Sequence, residues 1–145
     1  MRTAIGLTML LAFAAWADGL DSARAEPNLE KRSKLALDHA GSAFKAAREA
    51  YRAGDTAQTA EQAGEIERSV DLAFDSLNAT GKNPRKSPRW FKYAEMETRE
   101  LGRKLDDFQR EMAFNDRALF DKVRARVQQV HEDLLIGLME GRKKK

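Results

Sequence analysis

Three observations predict an all-α protein, an up-down-up-down four-helix bundle. Four segments carry apolar residues at alternating three- and four-residue spacings, turn-forming residues separate them, and no stretch alternates as a strand would. At 42% hydrophobic and 34% charged residues the 145-residue chain can bury a core, and its length suits one domain.

Residues 1–25 read as a cleaved signal peptide. Arg2 supplies a positive start, and residues 4–17 carry no charge. That run is shorter than the roughly 20 apolar residues a membrane-spanning helix needs. A polar stretch then ends in Ala23-Arg24-Ala25, a small-x-small cleavage pattern. Cleavage is expected after Ala25, with Ala15-Trp16-Ala17 as the alternative site. The mature chain would begin at Glu26. A removed leader has no place in a core, so residues 1–25, Leu10 and Phe13 among them, are expected to pack on nothing.

The first helix is expected over 28–53. Leu37, Phe44 and Tyr51 recur every seven residues, with Ala40, Ala47 and Gly54 at the companion positions. Gly54-Asp55 ends it and caps the second helix, 56–78, with Gln58 completing a capping box. There Ala63, Val70 and Leu77 alternate with Thr59, Ile66 and Ala73. Residues 78–87 form the one long connection and hold the sequon Asn78-Ala79-Thr80.

Ser87-Pro88 reads as the cap and first position of the third helix, 88–113. Its stripe is Phe91, Thr98, Leu105 and Met112 with Ala94, Leu101 and Phe108. Asn115 is the expected cap of the fourth helix, 116–140, with Phe114 stapled onto Leu119. Phe120, Val127 and Leu134 alternate there with Val123, Val130 and Gly137, and Gly141 stops it. Each helix would be roughly 35–40 Å long at 1.5 Å per residue. Small seam residues in the first two helices (Ala36, Ala40, Ala43, Ala47, Ala57, Ala60, Ala63) would face the larger ones of the last two. The alternative arrangement is a pair of long hairpins that open and form a homodimer.

The charge pattern restricts function. The chain is +3 overall, but residues 26–141 hold 20 basic and 21 acidic groups, so the excess resides in the basic tail 142–145. That removes the argument from a high pI to nucleic acid, and export argues against that partner too. There is no Cys, no Gly-x-Ser-x-Gly elbow and no glycine-rich phosphate loop, which points away from an enzyme. The third helix's carboxylates (Glu95, Glu97, Glu100, Asp106, Asp107, Glu111) are interleaved with Arg99, Arg103, Lys104 and Arg110, the pattern of a solvated, ion-paired face. His39 and His131 would lie at similar heights, roughly 16 and 14 Å from one end. They are the candidate ligands of an alternative haem- or metal-carrying bundle, although neither belongs to a Glu-x-x-His motif and both sit off the apolar stripe.

One end gathers the remaining signals. The fourth helix finishes Leu134-Leu135-Ile136-Gly137-Leu138-Met139, more apolar than one seam requires. An antiparallel arrangement brings Trp90, Phe91 and Tyr93 to it, with Lys82, Arg85, Lys86, Arg89 and Lys92 and the tail. Lys82, Arg85, Lys86, Arg89, Trp90, Phe91, Leu135 and Met139 are therefore the candidate binding residues. The expected function is that of an exported, non-enzymatic helical-bundle protein that works by interaction in the periplasm or outside the cell. Its partner would be an envelope or extracellular protein, or an anionic lipid or polymer surface.

Overall fold

A computed structural model describes residues 18–141. All its regular elements are helical: α1 (Asp18–Ala25), α2 (Leu29–Arg52), α3 (Thr56–Ala79), α4 (Arg89–Glu111), a 3₁₀ segment (Phe114–Phe120) and α5 (Asp121–Glu140). The four long helices pack as a bundle around one core. Every large seam residue expected at its centre is buried, from Leu37 and Phe44 through Val70, Leu101, Leu105 and Phe108 to Val123, Val127, Val130 and Leu134. Ala57 and Ala60 are exposed, because the seam of α3 runs through Thr59, Ala63, Ile66 and Val70 instead.

Four buried hydroxyls are satisfied within their own helices. Thr59 Oγ1, Ser69 Oγ, Ser76 Oγ and Thr98 Oγ1 each donate to the carbonyl four residues back, at 2.7, 2.7, 2.6 and 2.8 Å. Polar residues can therefore sit on the seam without an unmet donor.

Neighbouring helices identify the topology. α2 packs on α3 and α4, and α5 packs on α4 and α3, so α3 and α4 stand across the bundle from each other. Cross-helix contacts fix the directions. Phe44 and Tyr51 of α2 both meet Phe108 of α4, while Glu67 and Asp71 of α3 pair with Lys122 and Arg126 of α5. Thus α2 runs parallel to α4 and α3 parallel to α5. The α3–α4 connection crosses the end diagonally, joining two antiparallel hairpins.

Helix ends follow local chemistry with two exceptions. Asn28 accepts from Lys31 N at 2.9 Å and Asp55 from Gln58 N at 3.0 Å, and Gly141 ends α5 at φ 76°. Ser87 does not cap α4, whose preceding residue is Pro88 with no side-chain cap. Nor does Asn115 start the last helix. Residues 114–120 wind as 3₁₀, α5 begins at Asp121, and Phe114 is 82% exposed, too far out to staple onto Leu119. Tyr51 explains the departure: its hydroxyl accepts from Ala113 N at 2.9 Å and donates to Asp116 Oδ2 at 3.0 Å. This pins the connection to the end of α2.

The expectation that residues 1–25 pack on nothing fails where they are described. Leu10 and Phe13 lie outside the described residues, but α1 packs on α2, with Leu20 4% exposed and Ala23 fully buried. Gly19 lies so close to His39 that a Cβ there would stand 2.3 Å from His39 Nδ1. Arg32 Nε donates to Glu26 O at 2.9 Å across the turn that follows.

Candidate functional site

The diagonal connection builds the loop end of the bundle. Thr80 Oγ1 donates to Leu77 O at 2.6 Å as α3 ends, and Gly81 turns the chain at φ 71°. Asn83 then organises a tight turn: its Oδ1 accepts from Arg85 N and its carbonyl from Ser87 N, both at 2.9 Å. The turn pushes Pro84 inward until it is buried against α5. Gly137 makes room, since a Cβ there would be 3.3 Å from Pro84 Cγ. Lys82 forms an ion pair with Glu30 at the start of α2.

Beneath this turn lies a cavity of about 220 Å³. Phe74, Pro84, Phe91, Leu134 and Ile136 form its apolar walls, and Lys82, Asp133 and Glu140 its polar ones. Next to it on α5, Leu135, Ile136 and Met139 are 40, 51 and 68% exposed. Phe91 and Leu134 are core residues at 4 and 2%. Arg85, Lys86 and Lys92 are exposed and pair with no carboxylate among the described residues, and the 142–145 tail lies outside them. The last turn of α5, the turn at Arg85 and Phe91 thus come together as the sequence suggests.

Trp90 does not join them. It is half-buried and meets Tyr93 edge to face at 6.0 Å, with the Arg89 guanidinium 5.1 Å above its ring. Tyr93 belongs to the α2 side of α4: burial, then the carboxylates of Glu97 and Asp38, push its hydroxyl pKa upward. A step of one residue along a helix turns the side chain about 100°, so Trp90 and Phe91 serve different faces. The sequon also moves, since α3 continues through Asn78 and Ala79.

Sequence reasoning missed Phe74, Pro84 and Gly137. A glycine at a seam position was the only trace of the proline seat, and the loop that fills it is remote in sequence.

The histidines lie on opposite sides of the bundle. His39 Nε2 meets Glu65 Oε1 at 2.8 Å between α2 and α3, and His131 Nε2 meets Glu95 Oε1 at 3.0 Å between α4 and α5. Each is held by a glutamate of its own hairpin, so the two do not converge on a common centre. Among the described residues no group of three His, Cys, Asp or Glu side chains could hold a metal ion. Burial raises the Glu65 pKa, but hydrogen bonds from Arg68 and His39 outweigh it and hold the carboxyl below its ordinary value.

Most carboxylates of α4 are ion-paired as their spacing suggests, with Arg99–Glu95 at 3.1 Å and Arg103 between Glu100 and Asp107, while Glu97 and Glu111 make no ion pair among the described residues. Asp106 reaches further and pairs with Arg124 of α5. Nearby, the buried Gln109 donates to Arg117 O at 2.8 Å and Asp121 Oδ1 at 2.6 Å, and accepts from Arg124 at 3.2 Å. This network ties the second hairpin together.

Comparison with family models, with curated proteins and with solved structures gave no match for the chain.

Proposed function

We propose that the protein is exported, that its leader is removed, and that the bundle acts without catalysis by docking an envelope or extracellular protein at its loop end. The observation that carries this reading is the exposed apolar strip of Leu135, Ile136 and Met139 beside an apolar cavity. A bundle that needed α5 only for its own core would bury Leu134 and leave polar residues at 135, 136 and 139. The cavity suits one apolar side chain as an anchor. Arg85, Lys86 and Lys92 favour carboxylates flanking that anchor and steer an acidic partner to the site.

The test is quantitative co-purification from the native envelope fraction, comparing the parent with variants. Ile136→Asp would charge the cavity wall, Met139→Asp would charge the strip, and reversing Arg85, Lys86 and Lys92 to Glu would invert the rim. Each should reduce capture of the same partner by about tenfold or more, roughly 1.4 kcal/mol. The melting temperatures of the Met139 and charge-reversal variants should stay close to that of the parent. Undiminished capture by all three would remove this end as the docking site. A lost protein partner with retained, salt-sensitive binding to anionic vesicles would transfer the function to a lipid surface.

A further inference from the structure

We infer that the processing site of this chain is the Ala17–Asp18 bond, so that α1 belongs to the mature protein. The inference rests on the export proposed above and concerns where the leader ends.

The packing of α1 carries it. A leader that is discarded need not complement the body it leaves, yet residues 18–25 do so at two points. Leu20 and Ala23, one helical turn apart, present one face and are buried at 4 and 0%. Gly19 approaches His39 so closely that any larger residue would displace the ring, with 2.3 Å from an added Cβ to Nδ1. The end of α1 is tied to the turn that follows by Glu26 N, which donates to Ala23 O at 3.2 Å. Cleavage after Ala25 would strip this helix from α2 and uncover the ground it occupies, including the His39 ring.

The sequence offers a better bond upstream. Ala15-Trp16-Ala17 has the same small-x-small pattern as Ala23-Arg24-Ala25 and closes the uncharged run of residues 4–17. The downstream pattern is separated from that run by Asp18, Asp21 and Arg24. A protease that reads small residues next to the apolar segment meets Ala17 first. The reaction is hydrolysis: water adds across the Ala17–Asp18 peptide bond, leaving a carboxylate on Ala17 and a free amino group on Asp18.

The experiment expresses the full chain with its own leader in a host with a signal-peptide export pathway. The exported protein is then read by intact mass and N-terminal sequencing. Parent protein should begin at Asp18. Ala17→Arg should abolish that product, and Ala25→Arg should be processed as the parent is. A start at Glu26 or at any residue other than Asp18, or processing blocked by Ala25→Arg but not by Ala17→Arg, overturns the site while leaving export intact. A full-length, unprocessed chain retained in the cell overturns the export reading and this inference together.

Discussion

Leu105 illustrates what one side chain does here. It is fully buried at the centre of α4, in the same core as Val70, Val127 and Val130. Leu105→Ala should lower the unfolding free energy by about 2–5 kcal/mol, as chemical denaturation will show, because the core cannot close fully over the lost atoms. A second residue-scale prediction concerns acid. The folded-state pKa of Glu65 lies below its ordinary 4.5, so its contribution is complete above that value and is lost as pH falls through the lower folded pKa. Glu65→Gln should therefore flatten the acid limb of a stability–pH curve relative to the parent. The seam residues were legible because a 3-4 repeat places them on one stripe whatever the neighbours are. The His–Glu pairs were not, since pairing between helices depends on register, which no single helix contains.

At the scale of elements, α1 and the 113–120 connection have the same lesson. Both are decided by a partner distant in sequence. Residues 18–25 are too short and polar to announce a docked helix, and the ring that receives Gly19 is that of His39, twenty residues on. The 3₁₀ segment replaces an expected capped helix because Tyr51, more than 60 residues upstream, holds Ala113 and Asp116. Tyr51→Phe keeps the ring on Phe108 but removes both bonds. It should cost about 0.5–1.5 kcal/mol, read from denaturation midpoints, and speed amide exchange at Ala113. Leu20→Ala should lower the melting temperature of a chain that begins at Asp18, toward that of a chain beginning at Glu26, which lacks α1 altogether. Thermal denaturation of the three proteins checks that claim. Capping at Asp55 was legible because that bond spans only three residues.

For the whole molecule, four helices and their core followed from periodicity, whereas the ring order α2, α3, α5, α4 did not. Periodicity says which stripe is buried, and the choice of diagonal rests with the loop: Pro84 in its seat on Gly137 and Lys82 on Glu30. The loop end was legible as a concentration of charge and apolar residues. Its division into a Trp90 side and a Phe91–Ile136 side required the packed helices.

The diagonal connection also governs the order of events during folding. Each hairpin closes through contacts between sequence neighbours, while the two hairpins meet only through pairings such as Phe44 with Phe108 and Asp71 with Arg126, which close loops of more than fifty residues. Loop-closure entropy defers such pairings. Docking of the two hairpins is therefore expected to limit refolding, which stopped-flow kinetics of truncation variants will check. Side chains within the α2–α3 seam, such as Ala40, act before it, and those at the hairpin–hairpin junction, such as Phe44 and Phe108, act after it. Truncations of the first kind slow refolding, and those of the second chiefly hasten unfolding.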